Sequence, residues 1–313
     1  MIPLLFGIVT VSFIVIHLAP GKPTTLAEAM NPKFSQEARQ RLEKLYGLDK
    51  PLSAQYLDWS KKVITFNFGT SFIDGRPVMR KIRERLFLTV FINVSSLILI
   101  LFFGIFIGLN CAKAPGSFYD YFMSLFVFIG FAMPGFWLSL LLMNLFGFQL
   151  RWLPISGLTS LDFDYYSFWE KALDLARHLV LPIFVSCFSG LAGISRYIRM
   201  NISDILKQPY IRTAKAKGLS FDAVLKKHAL PNALLPVVTI LGLSIPGLIG
   251  GSVIFESIFA LPGAGRLFYE AVMARDYPMI MAELVIAAVL TLSGNLFADI
   301  AYAYVDPRIR YKK

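Results

Sequence analysis

Six long apolar runs constrain this sequence more than any other feature. Each approaches or exceeds the roughly 20 residues that a helix needs to cross about 30 Å of hydrocarbon. The runs occupy residues 2–19, 86–109, 118–148, 179–195, 233–255 and 279–305. Because lipid offers the backbone no hydrogen bonds, such runs cross a bilayer as helices. The sequence therefore predicts an all-α integral membrane protein with six transmembrane helices and the lipid bilayer as its surroundings.

The composition supports a membrane protein and excludes several other classes. Of the 313 residues, 56% are hydrophobic and only 16% are charged, and the mean hydropathy is +0.61. A soluble domain usually carries about a quarter charged residues, so an ordinary cytosolic enzyme is excluded. We assign the net charge of +11 to loops that touch anionic lipid, and expect no nucleic-acid partner. Cys111 and Cys187 lie in or beside apolar runs, which indicates neither a metal site nor a disulfide framework.

Two of the six runs differ from an ordinary span. The first has features of a cleaved signal peptide, but it lacks a basic segment ahead of it, and Pro20 fits poorly at a cleavage site. We therefore expect a retained span, and we expect that a few natural N-terminal residues are missing ahead of it. The third run is longer than one crossing needs, and Pro134-Gly135 is expected to kink it or to let it tilt.

The loops predict the layout of the chain and its orientation. Residues 1–19 form the first helix, 20–85 a small outer segment, 86–305 the transmembrane core, and 306–313 a tail. Segment 196–232 carries eight Lys or Arg residues against Asp204 and Asp222, whereas 149–178 carries three against four acids. Because cytoplasmic loops are rich in Lys and Arg, we place 196–232 and both termini in the cytoplasm. The basic cluster at 76–85 argues the other way, although long segments are translocated largely regardless of charge.

Segment 196–232 is the most informative stretch outside the apolar runs. Pro209 is suited to start a short helix over 210–217, and Gly218 is suited to end it. Ser220 can then cap a second helix over 221–227, which is predicted to end near Leu230-Pro231. The alternative is a basic loop that rests on anionic headgroups.

The spacing in this segment resembles the EAA loop of the permease subunits of binding-protein-dependent ABC importers. Its form is similar to that of the dipeptide, oligopeptide and nickel branch. The matching positions are Tyr210, Arg212, Thr213, Ala214, Ala216, Gly218, His228, Leu230, Pro231 and Asn232. Arg212-Thr213-Ala214 stand where the general motif has Glu-Ala-Ala, so the acidic first position is absent here, as it is in this branch.

Further motifs extend the resemblance along nearly the whole sequence. In chain order they lie at 18–21, 46–52, 55–56, 68–71, 153–157, 255–259, 261–267, 276–278 and 306–311. Each motif alone is moderately specific, whereas the ordered set is highly specific.

The resemblance implies a type I ABC importer permease of MetI-like architecture. Such a subunit forms half of a pore with a homologous second permease and receives cargo from an outer solute-binding protein. Two ATPase subunits, which bind ATP and Mg, would dock on the loop at 196–232, where the small residues Ala214, Ala216 and Gly218 would admit a partner's backbone. We expect no cofactor in this chain and no catalysis by it, because the sequence lacks a GxxxxGK[ST] phosphate loop.

The fifth apolar run is the candidate pore lining. It is interrupted by prolines and glycines, and broken backbone at membrane depth is tolerated where it lines a cavity or is covered by protein. The candidate pore and gate residues are Pro246, Gly247, Gly250, Glu256, Pro262 and Gly263. The glycines also suit simple close packing of helices. The three histidines are dispersed, so we expect no metal site, and the intramembrane Glu283 has no assigned role.

Three functions follow for comparison. The first is a di- or oligopeptide importer permease in the plasma (inner) membrane of a prokaryote. The second is a permease for nickel or a metal chelate, because the permease motifs do not separate the two cargoes. The third is a self-sufficient secondary transporter, which should show an inverted internal repeat or buried ionisable pairs. The sequence shows neither feature on inspection.

Overall fold

The computed structural model describes residues 2–18, 44, 47–244 and 246–305. Their regular structure is helical, and the pairing of Thr70 with Pro77 is an isolated bridge. The α-helices are α1 Ile2–Leu18, α2 Leu52–Ile64, α3 Val78–Lys113, α4 Phe118–Ala132, α5 Gly135–Leu142, α6 Phe168–Ile205, α7 Pro209–Ala216, α8 Phe221–Val224, α9 Leu230–Ser244, α10 Val253–Ile258, α11 Ala264–Ala274 and α12 Tyr277–Val305. Two π-helical stretches, Met143–Gln149 and Leu225–Ala229, continue α5 and α8.

Three of the described helices are long and apolar enough to cross a membrane. They are α3, α6 and the part of α12 from Tyr277 to Phe297. The pair formed by Phe118–Ala132 and Gly135–Gln149 makes a fourth if it counts as one span, whereas the apolar helix Pro3–Leu18 is shorter. In the fifth run, α9 ends at Ser244, a short 3-10 turn follows at Pro246–Leu248, and α10 begins at Val253. The all-helical prediction thus holds for the described residues, and the count of six spans stays a prediction.

The third apolar run is sharply bent where the sequence predicts a kink. The direction of the helix changes by 101° between Phe118–Ala132 and Gly135–Gln149. Met133 and Pro134 both adopt extended backbone angles, with ψ values of 129° and 125°. Proline lacks the N–H that a continuous helix needs and pushes the preceding residue out of the helical region, so the chain changes direction at this point.

Several helices extend beyond the apolar runs that predicted them. Helix α3 begins at Val78, inside the segment predicted to be a separate outer region, and α6 has 38 residues. Charged side chains at the start of α3 are paired, since Arg76 and Arg80 both contact Glu84, at 2.8 and 3.1 Å. Hydropathy locates only the part of a helix that lies in lipid, which explains the difference. Residues 19–43 of the outer segment and the tail at 306–313 lie outside the described residues.

The chain divides into two compact units. The first comprises Met1–Thr89, Ile249–Val253 and Pro262–Ser293. Its core combines α1, α2 and α12 around residues such as Phe13, Trp59 and Met279. The buried carboxylate of Asp276 accepts hydrogen bonds from the Ser71 hydroxyl and the Phe72 amide, which ties the segment before α3 to the start of α12.

The second unit comprises Val90–Leu248, Ile254–Leu261 and Gly294–Lys313. Two glycines one helical turn apart on α3, Gly104 and Gly108, lie directly against α6. A Cβ on Gly108 would come within 2.5 Å of the Ser195 carbonyl oxygen, and a Cβ on Gly104 within 2.8 Å of Ile194. Small residues at this spacing let two membrane helices approach closely, so the contact between α3 and α6 depends on them.

Gly108→Ala is expected to destabilise the second unit, because the added methyl group has no space against Ser195. Overpacking of this kind costs about 1–3 kcal/mol. Gly193→Ala is the matched control, since it adds the same methyl group on α6 where no atom lies within 4 Å. Thermal unfolding of the purified protein in detergent should show a lower midpoint for Gly108→Ala alone. Equal midpoints for the two variants would contradict this account of the packing.

Candidate functional site

Helix α7 has the start and the end that the sequence predicts. Pro209 occupies the first turn, where its missing N–H costs nothing, and the preceding Gln208 is extended. The helix ends at Ala216, and Gly218 follows with φ at +83°, in the left-handed region that favours glycine. The Gly218 amide donates to the Lys215 carbonyl at 3.0 Å. The chain therefore reverses within three residues after the helix.

The second helix of the segment begins as predicted and continues into the next helix. The Ser220 hydroxyl accepts a hydrogen bond from the Ala223 amide at 3.3 Å, which confirms the cap. After Val224 the chain continues through a π-helical stretch directly into α9. The next helix begins at Leu230, within the predicted boundary at Leu230-Pro231, although the chain stays helical through that boundary. Pro231 is the second residue of α9, and the helical path continues through it.

A small apolar core fixes α7 and α8 to the end of α6. Ile211 and Val224 are fully buried, and Ala214 is 7% exposed. Ile205 and Leu206, at the end of α6, pack against them. The expectation that Ala214 faces a partner is therefore wrong, because it lies one helical turn from Ile211 on the same inward face. These contacts hold the short helices α7 and α8 on the end of the long helix α6.

The opposite face of α7 is exposed and basic. The exposed residues of α7 and of the turn after it include Tyr210, Arg212, Thr213, Lys215, Ala216, Lys217 and Gly218. No atom lies within 4 Å of the position that a Cβ on Gly218 would occupy. The Lys215 ammonium lies 5.5 Å from the centre of the Phe221 ring on α8, which is a cation–π contact between the two short helices. The surface thus combines small residues, which permit a close approach, with cationic side chains.

Two further contacts hold this segment against neighbouring helices. Lys113, the last residue of α3, pairs with Asp222 of α8 at 3.3 Å. The Asn232 amide donates to the His228 carbonyl at 2.7 Å and to the Tyr210 hydroxyl at 3.4 Å, which joins α9 to α7. The contribution of His228 to this contact is therefore its backbone carbonyl oxygen. In the described part of the chain, no group of three or more His, Cys, Asp or Glu residues is placed to hold a metal ion.

Sequence reasoning missed a partly buried ion pair between α4 and α6. The Arg199 guanidinium donates to both carboxylate oxygens of Asp120, at 2.7 and 2.6 Å, and the Gly116 amide donates to the same carboxylate. The Asp120 side chain is 3% exposed. The pattern Ser117-x-x-Asp120, typical of a helix start, locates the aspartate, but nothing in the sequence indicates its distant partner.

The candidate pore and gate residues fall in both units. In the second unit, Pro246 opens a 3-10 turn that contains Gly247, and Glu256 is 4% exposed in α10. In the first unit, Gly250 is exposed, and Pro262 and Gly263 lead into α11. The predicted interruption of the fifth run is confirmed, because neither Gly247 nor Gly250 lies in an α-helix.

Two of the motifs that carry the resemblance, at 153–157 and 255–259, meet in the second unit. The Gly157 amide donates to the Phe259 carbonyl at 2.8 Å. Phe255 lies so close to Gly135, at the bend of the third run, that a Cβ there would come within 2.6 Å of its ring. The motif at 255–259 therefore packs against both the bend and the loop at 153–157.

The long apolar helices, with an exposed basic helix packed on the end of one of them, define an integral membrane protein. The chain belongs to the family described as binding-protein-dependent transport system inner membrane component, which matches residues 86–311. The predicted resemblance to the permease subunits of binding-protein-dependent importers is thereby confirmed.

Full-length relatives support this assignment. The oligopeptide transport system permease protein AppB of Bacillus subtilis is 47% identical over 99% of this chain and 96% of its own length. The dipeptide transport system permease protein DppB of Alkalihalophilus pseudofirmus is 35% identical over 99% of this chain and 97% of its own. The glutathione transport system permease protein GsiC of Salmonella typhimurium is 34% identical over 100% of this chain and 96% of its own. The chain is thus similar to these permeases from end to end.

Proposed function

We propose that this chain is half of the translocation pore of an ATP-driven importer of di- or oligopeptides. The observation that carries the proposal is the exposed basic face of α7, held by the buried side chains of Ile211 and Val224 on the end of α6. A surface of this kind transmits force, because a rigid helix moves with the long helix to which it is packed. The relatives are named as oligopeptide and dipeptide permeases, and these names support peptides as the class of cargo.

The partners proposed for this chain are those of its family. A homologous second permease completes the pore, an outer solute-binding protein delivers the cargo, and two ATPase subunits bind ATP and Mg on the cytoplasmic side. The chain has no phosphate loop of its own, so its role is mechanical and not catalytic. ATP binding can rearrange the membrane helices only if the ATPases contact α7 differently before and after the rearrangement. A ligand that binds both arrangements equally well does not change the equilibrium between them.

The topology and the gate belong to the same proposal. Six spans would place both termini and the segment at 196–232 in the cytoplasm, as the distribution of Lys and Arg indicates. The pore would be lined by the interrupted fifth run, with Pro246, Gly247 and Gly250 at the interruption. Glu256 and Pro262-Gly263 would flank its outer mouth. Broken backbone supports this placement, because in a membrane it is tolerated where it lines a cavity or is covered by protein.

Gly218→Arg is expected to leave the protein in the membrane and to reduce uptake at least about tenfold. The bulky cation would project into the cleft where an ATPase docks. Gly218→Ala is the control, because both variants adopt the same left-handed backbone, at a cost of about 1–2 kcal/mol, while the alanine adds almost no volume. Membrane levels are measured by immunoblot beside uptake. Unimpaired uptake by Gly218→Arg would contradict the coupling role of this turn.

Uptake in a strain that lacks only this gene tests the cargo. A labelled tripeptide and labelled Ni²⁺ are compared in the deletion strain and in the same strain carrying the restored gene. Loss of peptide uptake alone, with recovery on restoration, is the expected result. Loss of Ni²⁺ uptake alone would replace the peptide proposal by the nickel alternative. Uptake by the purified chain in vesicles, without ATPases, would instead indicate a secondary transporter.

A further inference from the structure

A groove of about 620 Å³ lies between α4 and α6 in the second unit. Its lining combines hydroxyl, cationic and apolar side chains, among them Tyr121, Ser124, Phe128, Arg196, Arg199 and Met200. It begins where the apolar run at 179–195 of α6 gives way to the basic segment at 196–232. The groove is separate from the exposed face of α7 and from the interrupted fifth run.

The charges in this groove leave one cation unbalanced. Arg199 is neutralised by Asp120, and Asp204 is paired with Lys207 at 3.1 Å. Arg196 is exposed and lies 6.0 Å from the centre of the Phe128 ring. Within the part of the chain that the structure describes, no carboxylate forms an ion pair with Arg196. A guanidinium fixed over a ring retains its N–H donors for an anionic ligand.

The surface beside Arg196 is apolar. Leu125 is 58% exposed, Phe128 48% and Met200 58%. An unpaired cation at the end of an apolar strip matches one kind of ligand, with an anionic head and a hydrocarbon tail. A free phosphate would leave the strip uncovered, and a neutral lipid would leave the charge of Arg196 unbalanced.

We propose that this groove binds one anionic phospholipid, with its phosphate on Arg196 and an acyl chain along Leu125 and Phe128, while Met200 lies on the head-group side of Arg196. Anionic lipids give the cytoplasmic leaflet its negative surface potential, and the leaflet assigned here rests on the orientation proposed above. Since α6 leads directly into α7, the bound lipid holds the end of the helix that carries the docking face. The binding itself does not depend on the cargo or on transport.

Native mass spectrometry of the purified complete transporter tests the proposal. Phosphatidylglycerol is titrated into the detergent-solubilised complex, and phosphatidylcholine serves as the neutral comparison. Arg196→Gln should weaken binding of phosphatidylglycerol about tenfold, because a charge-assisted pair is lost. Arg177→Gln removes the same charge from the same helix 19 residues, or about 28 Å, away and should leave binding unchanged. Equal affinity in the two variants would overturn the proposal.

Two further variants distinguish a bound lipid from a protein that covers the groove. Phe128→Leu keeps the apolar strip but removes the ring beneath the guanidinium, and it should weaken binding about threefold. Met200→Cys reports what covers the groove, because the native Cys111 and Cys187 are buried. Labelling of this variant by a lipid-borne thiol reagent is expected. Its crosslinking to the second permease would show that a protein fills the groove and would overturn the lipid assignment. A peptide uptake defect without altered lipid binding would concern the proposed function alone.

Discussion

The hydrocarbon core of the bilayer contains no water, so each backbone N–H and C=O within it must find a partner inside the protein. This requirement accounts for the helices that make up the regular structure of the described residues. It also explains where the helices are irregular. The chain bends by 101° at Pro134, where a backbone donor is missing, and the fifth run breaks at a cluster of proline and glycine. Between helices, where lipid removes most of the hydrophobic driving force, Gly104 and Gly108 let α3 approach α6 closely enough to gain packing energy.

The exposed helix α7 depends on that framework. It has only eight residues, too few to be stable alone in water. Its shape comes from Ile211, buried against Val224 and the end of α6, and from the pairs that join it and α8 to α9 and α3. A displacement of α7 is therefore passed to long helices through packed side chains. The proposed coupling to the ATPase subunits depends on this rigid connection.

Local signals predicted part of this structure, and their limits are physical. Pro209, Gly218 and Ser220 specify the ends of helices through their own backbone chemistry, so the sequence locates these ends accurately. The inward direction of Ala214 depends on α6 and α8 folding against it, and no local pattern reports it. The pair of Asp120 and Arg199 joins residues 79 positions apart, and a single sequence does not show such a pairing. Hydropathy located α3 and α6 but not their full lengths, because their ends leave the apolar phase.

Site-directed crosslinking at α7 tests the central claim most directly. In the assembled transporter, Ala216→Cys places a thiol on the exposed face, and Ala214→Cys places one on the buried face of the same helix. Ala216→Cys is predicted to crosslink to an ATPase subunit in a manner that depends on ATP, and Ala214→Cys is predicted not to react. Crosslinking of Ala216→Cys only to lipid or to the outer solute-binding protein would contradict the account of α7 as the docking helix.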